Sequence, residues 1–315
     1  MKAEKNIRAI IRKVTFSSRF SKEGNYDYIS EGWTNLRYKI NRLRELKIIN
    51  NFTINIFPNE PINLRYVLLE IKTNPQEPEL VEKLLTIPQL RMLDGIFGEF
   101  SLIALFIFES TNQYQKTLQK IDKIMAKSYF KKYQIVEPIK IFKTNGIKLK
   151  NRKIKLKRNL DNKDIAILRI LRDKQSIKPL STYKIKKILN SEFNINISQP
   201  TIYNRIKSLE KAGIILNYTF NFNPRMLGFK GKYILRIKPK DPSKYDSLAK
   251  NLEENINITD LFRIGDEYGL FAIVRVKEVE DYKSFIVDLY NTGEIEDTWT
   301  NFVLEEMISY TNFIF

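Results

Sequence analysis

Between residues 198 and 208 the chain sets out a row of groups able to hydrogen-bond phosphate or a base edge. Ser198, Gln199, Thr201, Tyr203, Asn204, Arg205, Lys207 and Ser208 lie there, interleaved with Ile202, Ile206 and Leu209. That apolar spacing of i, i+4 and i+7 is the inward stripe of a helix, which turns Thr201, Asn204, Arg205, Lys207 and Ser208 to the opposite face. Asn and Gln amides match the edge of adenine, whereas Arg and Lys read guanine or hold phosphate. Ser198 is positioned to cap the helix, and Pro200 suits its first turn.

Other chemistry finds little support. The 315 residues include no histidine and no cysteine, which removes the usual zinc and haem ligands, Ser-His or Cys-His catalysis and any disulfide framework. Gly228-Phe229-Lys230-Gly231-Lys232 has the wrong spacing for a P-loop, and no pair of carboxylates stands out as acid and base. No catalytic residue, metal or cofactor is expected. Fifty-four Lys and Arg against 36 Asp and Glu give a formal charge of +18, which points to polyanions, with double-stranded DNA ahead of a membrane surface. No apolar run reaches the eighteen residues of a spanning helix, and the first residues lack a signal-peptide core. A cytoplasmic location without a membrane partner is the expectation.

The elements that must position these groups occur twice. Asn35–Pro58 aligns without a gap to Thr201–Pro224, 166 positions on, sharing Ile40/Ile206, Leu43/Leu209, Asn51/Asn217, Thr53/Thr219 and Asn55/Asn221. The chain is therefore a tandem duplication. In the second copy the pattern predicts helices over 164–171, 183–189 and from Ser198 to Gly213, then a strand over 214–222 able to form a wing. In the first copy it predicts a helix over 4–14, a helix to Lys47 with Leu36, Ile40, Leu43 and Leu46 inward, and a strand over 50–57. Each copy continues as strand, helix, strand, strand, helix, strand, the order of an antiparallel sheet with both helices on one face. Leu102–Phe108 is apolar on both faces, as is Leu270–Val274, so each sheet needs a second cover; the simplest is the other sheet, within the chain or in a homodimer.

The run Leu160-Asp161-Asn162-Lys163-Asp164-Ile165-Ala166-Ile167-Leu168, followed by Ile197-Ser198, Ile202, Arg205-Ile206-Lys207-Ser208-Leu209-Glu210 and Gly213-Ile214-Ile215, resembles the opening domain of the Lrp/AsnC family of feast/famine regulators. The βαββαβ that follows is similar to their regulatory (RAM) domain, and the first copy resembles the same pair more weakly. The implied fold is α+β, two repeats of a winged helix-turn-helix followed by a ferredoxin-like domain. The expected domains are a degenerate winged helix over 1–60, a RAM-like domain over 61–144, a basic linker over 145–158, a winged helix over 159–226 and a second RAM-like domain over 227–315. The resemblance implies a DNA-binding transcription regulator whose third helix enters the major groove. It also implies RAM sheets that pair as a dimer or pseudo-dimer and sense an amino-acid-like effector.

In the first copy Asn35, Arg37, Lys39 and Arg42 fall where the DNA-facing residues of the second do, with phosphate anchoring or no direct contact expected of them. The family's effector loop corresponds to Gly98-Glu99-Phe100-Ser101 and to Gly265-Asp266-Glu267-Tyr268-Gly269. Gly98, Gly265 and Asp266 are its implied effector positions, although Ser101 and Tyr268 replace the usual acidic residue; a plain turn with Gly at φ > 0 is the alternative. Two other functions fit the same frame: an architectural protein with little sequence preference, and an enzyme similar to the tandem sirohaem decarboxylases, which use histidine.

Overall fold

The computed structural model describes residues 7, 11, 38–74, 76–149, 154, 156 and 158–315. The chain does not divide copy by copy. One compact unit takes residues 1–62, 151–228 and 310–312, and the other takes 63–150, 229–309 and 313–315. The winged-helix parts of both copies thus share one unit, and the two ferredoxin-like parts share the second. Residues 145–148, expected in the linker, instead continue the second unit as a short hairpin with the strand before them.

In the first unit, with elements numbered along the chain, helix α1 covers 38–45 and leads into β1 (Ile49–Ile56). The second copy supplies α4 (Asn162–Asp173), α5 (Thr182–Phe193), α6 (Gln199–Ala212) and β8 (Ile215–Phe222). Each of its helices begins where a side chain accepts an otherwise unused backbone N–H: Asp161, Ser181 and Ser198 cap α4, α5 and α6. Gly213, at φ 82°, ends α6 and lets the Ile214 N–H reach the Leu209 carbonyl. Lys47 takes the same left-handed position after α1, at φ 55°, and Ile48 N–H reaches Leu43. The turn therefore sends Ile48 inward, while Leu46, expected on the inward stripe, is left 44% exposed. Of the predicted helix over 4–14, Ile7 and Ile11 are described and helical; the rest, with Trp33, Asn35, Leu36 and Arg37, lies outside the described residues.

The expected wing is different. β8 pairs antiparallel with β1 of the other copy, in register Thr53↔Thr219, rather than folding back on its own copy. The reason lies in burial: β8 is covered along nearly its whole length, so its backbone groups need a partner strand away from water. The buried Asn55 and Asn217 side chains bond at 2.8 Å, and Asn221 bonds Asn51 at 2.9 Å. Because equivalent residues face each other at Thr53 and Thr219, a local two-fold relates the two copies in this ribbon.

The second unit holds β2 (Arg65–Ile71), α2 (Pro78–Leu85), β3 (Leu90–Ile96), β4 (Leu102–Phe108), α3 (Thr111–Met125), β5 (Tyr133–Val136), β6 (Pro138–Thr144) and β7 (Ile147–Lys148) from the first copy. From the second copy come β9 (Gly231–Pro239), α7 (Tyr245–Leu252), β10 (Ile258–Ile264), β11 (Leu270–Val276), α8 (Val279–Asn291) and β12 (Ile295–Glu306). The βαββαβ order holds in both, and β4 and β11 are buried nearly throughout, as their apolar composition requires. Two strands change sheets. β12 pairs first with β9 and then with β3 of the other copy, while β5 pairs with β2 and β6 continues onto β10. Only Glu137 separates β5 from β6, and the two sheets run together in one ten-stranded order that ends in β5 and β7.

Where β12 meets β3 lies a cluster of four charges. Lys232 Nζ lies 2.6 Å from Asp94 and 3.3 Å from Glu306, and Arg275 grips Glu306 at 2.5 and 3.0 Å. Burial opposes charge on Glu306, yet Lys232 and Arg275 outweigh it and hold the carboxyl at about 2. For Asp94 burial wins over Lys232, and its pKa is raised. Glu306 therefore contributes stability in full above its ordinary value of 4.5 and loses it as pH falls toward about 2, on the order of 3 kcal/mol; Asp94 has the opposite sign and offsets part. In urea unfolding, the stability gap between wild type and Glu306→Gln is expected to shrink steadily as pH falls through that window. A gap independent of pH would show that Glu306 is not held ionised by these cations.

Candidate nucleic-acid interface

Helix α6 carries Ile202, Ile206 and Leu209 fully buried against the first unit's core, which fixes its rotation. Ser198, Gln199, Thr201, Asn204 and Lys207 are consequently exposed, and Tyr203 and Ser208 are half-buried. Five of the eight expected contact residues thus stand in solvent around the first three turns. Lys207 lies over the Tyr203 ring at 5.1 Å, which keeps its ammonium on this face.

Arg205 behaves differently from the expectation. Its side chain is only 17% exposed, and its guanidinium bonds Asp161 at 2.8 and 2.9 Å and Asp164 at 2.9 Å. Asp164 is fully buried at the start of α4, where Arg158 also grips it, one contact being 2.7 Å. Burial works against charge on Asp161, but the Arg205 hydrogen bonds prevail and keep its carboxyl below the ordinary range. Arg205 thereby locks the N-terminus of α4 to the middle of α6 and is not aimed at a ligand. Spacing alone put it with Asn204 and Lys207; its partners lie more than forty positions earlier in sequence, beyond the reach of helical periodicity.

On α1 the exposed residues are Tyr38, Lys39, Arg42, Arg44 and Glu45, with Tyr38 79% exposed. Arg42 pairs loosely with Glu45 at 3.2 Å on the same surface. This face is basic but lacks an exposed amide among the described residues, whereas α6 offers Gln199 and Asn204.

The structure also exposes groups that periodicity did not single out. Thr182 Oγ1 approaches Gln199 Oε1 at 3.4 Å, so the starts of α5 and α6 adjoin. Tyr183, Lys184 and Lys187 of α5 are exposed, and Lys187 lies 4.7 Å from the Tyr183 ring centroid. The signal available in the sequence was the run of lysines at 184, 186 and 187 directly after a helix cap.

In the second unit, residues of both glycine loops line one cleft of about 440 Å³, including Glu99, Phe100, Asp266 and Tyr268, together with Glu70 and Arg236. Asp266 accepts the backbone N–H of Tyr268 and Gly269 at 3.0 and 2.9 Å and faces Arg236 Nε at 2.9 Å. Gly98 has φ 146°, and Asn301 bonds the preceding Phe97 carbonyl at 2.9 Å. Gly265 is not the left-handed residue of its loop. Gly269 is, at φ 81°, and a Cβ there would lie 2.3 Å from Arg263 and Tyr245. Among the described residues no cluster of carboxylates could hold a metal, and no helix is long and apolar enough to cross a membrane.

Residues 233–313 match the family model of the Lrp/AsnC ligand binding domain. The HTH-type transcriptional regulator FL11 of Pyrococcus abyssi is 31% identical over 147 residues, 47% of this chain and 91% of that protein. The HTH-type transcriptional regulator Ptr1 of Methanocaldococcus jannaschii is 32% identical over 129 residues, 41% of this chain and 80% of its own. Among solved structures, the siroheme decarboxylase NirDL superposes over 94% of this chain and 90% of its own, with a TM-score of 0.61 and 13% identity. That last likeness is one of fold.

If Arg205 serves as the α4–α6 lock, Arg205→Ala leaves Asp161 without its cation and Asp164 with Arg158 alone. Urea unfolding is expected to show a loss of about 1–3 kcal/mol. Lysine at this position is expected to recover only part, because an ammonium cannot reproduce a fork across two carboxylates. A stability unchanged by Arg205→Ala would count against the lock.

Proposed function

The chain belongs to the Lrp/AsnC family of transcription regulators, and on that premise we propose that it is a DNA-binding regulator that enters the major groove with α6. One observation carries the reading: Ser198, Gln199, Thr201, Asn204 and Lys207 stand together in solvent at the N-terminal part of a helix whose other side is anchored by Ile202, Ile206 and Leu209. The N-terminal residues of such a helix meet base edges, and the preceding helix crosses the backbone. Asn204 and Gln199 are the base readers, Lys207 holds phosphate, and Lys184 and Lys187 at the start of α5 add phosphate contacts. The formal charge of +18 supplies the long-range attraction.

The basic face of α1, with Lys39 and Arg42, anchors the second half of the site through phosphates, joined by Asn35 and Arg37. The β1–β8 ribbon relates the two copies by a local two-fold, yet their third helices carry different side chains. The target is accordingly two unlike half-sites rather than a palindrome. The cleft beside Asp266 is the seat of a small amino-acid-like effector, with Gly98 and Gly265 shaping its loops. Because Asp266 already holds Arg236 and its own turn, an effector must insert into that ion pair or bind beside it. The protein acts in the cytoplasm as a non-enzymatic regulator; a histidine-dependent decarboxylase has no support in a chain without histidine.

Fragments selected from a random duplex library provide the test. Asn204→Ala is expected to cost about 1–3 kcal/mol at one base position and to relax preference there. Lys207→Ala is expected to weaken all sequences alike and to lower the slope of log K against log salt by about 0.9. A selected site should exceed random duplex by about 10³ or more, as regulators do, whereas a flat response would indicate an architectural protein. If Asn204→Ala alters neither affinity nor preference, α6 does not read bases.

A further inference from the structure

The paired sheets of the second unit are related by a local two-fold that their charges do not obey. Glu70 and Arg236 occupy equivalent positions, each following the leucine that faces the central alanine of its sheet (Leu69↔Ala104, Leu235↔Ala272). They meet each other at 2.8 Å, with Glu70 3% exposed. Equivalent residues meeting in this way mark the axis itself.

Away from the axis the two ends differ completely. At one end Glu306 is opposite Asp94 and Lys232 is opposite Arg275; this is the buried four-charge cluster. The equivalent strand positions at the other end pair Ile141 with Phe262 and Tyr66 with Ile107. There the Tyr66 and Phe262 rings meet edge to face at 5.8 Å, where the first end has Lys232 against Asp94. Charge is balanced at the first end, whereas aromatic and aliphatic side chains take those four positions at the second, with Lys143 and Asp260 buried beside them. The first copy supplies Asp94 alone to the cluster; the second supplies Lys232, Arg275 and Glu306.

We propose that these positions form a pairing code under which each sheet accepts only the sheet of the other copy and rejects its own kind. Two first-copy sheets brought together would bury Asp94 against Ile141 and Tyr66 at both ends and set Glu70 against Glu70. Two second-copy sheets would bury Lys232 and Arg275 with only Glu306 at both ends and set Arg236 against Arg236. Each like-with-like arrangement leaves buried charge without a partner, which is far costlier than losing an exposed ion pair. The complementary arrangement alone gives Asp94, Glu306 and Glu70 each a cation. The code selects a second-copy sheet as the partner of every first-copy sheet and bars the pairing of like with like through this surface, whatever the protein binds elsewhere.

The chain has no native thiol, so a cysteine pair reads the seam directly. Ile96 and Val303 are Cα partners between β3 and β12; in either like-with-like pairing neither would face the other. The full-length variant with Ile96→Cys and Val303→Cys is oxidised in four backgrounds: unchanged, Asp94→Lys, Lys232→Asp, and the two combined. The exchange restores the 94–232 pair with its signs reversed and sets the new lysine opposite Glu306 and the new aspartate opposite Arg275, in place of the native Lys232–Glu306 contact. Expected is an intrachain link at single-chain mass in the unchanged background, a yield at least fivefold lower in each single reversal, and recovery to within twofold in the combined variant. Urea unfolding should follow the same order, with at least a tenfold loss in the folding constant for each single change. Equal yields in all four backgrounds, or a combined variant no better than the singles, would each overturn the code.

Discussion

The second unit depends on two strands that do not finish in the sheet where they begin. β12 leaves β9 for β3, and the continuous β5–β6 segment leaves β2 for β10. A four-stranded sheet with helices on one face still has an apolar second face and two edges with unpaired backbone groups, both unfavourable in water. Crossing strands remove both problems together. They supply the edges at β3 and β10 with hydrogen bonds and bring the two open faces into contact, burying Leu68, Phe262 and Phe271 completely. The ribbon of the first unit applies the same solution on a smaller scale: β1 and β8, from different copies, pair with each other.

Much of this was legible because repetition and periodicity are local properties. The gapless match between residues 35–58 and 201–224 exposed the duplication, and the inward stripe Ile202, Ile206 and Leu209 fixed the exposed face of α6. The doubly apolar β4 announced a second cover and even its identity. What local pattern could not supply was the partner of a strand. The pattern over 214–222 says that β8 is a strand without saying which strand it pairs with, and a wing was the nearest local answer. Arg205 failed for the same reason: a helical wheel assigns a direction, but Asp161 and Asp164 bend that arginine back toward α4. Leu46 was turned out by the left-handed Lys47 that follows it, and in the second glycine loop the positive φ belongs to Gly269, four positions after Gly265.

Duplication inside one chain also frees an interface from symmetry. In a homodimer every substitution is made twice, so a residue on the axis faces its own copy and cannot become half of an ion pair. Here Glu70 and Arg236 share one axis, and the charged and aromatic ends have diverged. The same freedom extends to the third helices, where amides occupy α6 and arginines occupy α1. Scaffold and reading surface have thus become asymmetric together, while the backbone ribbon retains Thr53 opposite Thr219.

The crossing of β12 has a consequence for synthesis. Its last turns of pairing join Glu306 to Asp94 and Val303 to Ile96, so the edge of the first sheet waits for roughly 200 further residues to leave the ribosome. At typical elongation rates that delay is on the order of ten seconds or more. Throughout it, β3 presents bare backbone and the carboxyl of Asp94 has no cation within reach. A nascent chain in that state is vulnerable to joining its neighbours on a polysome, and the lone acid at the raw edge, soluble until its lysine arrives, is well suited to keep it apart from them.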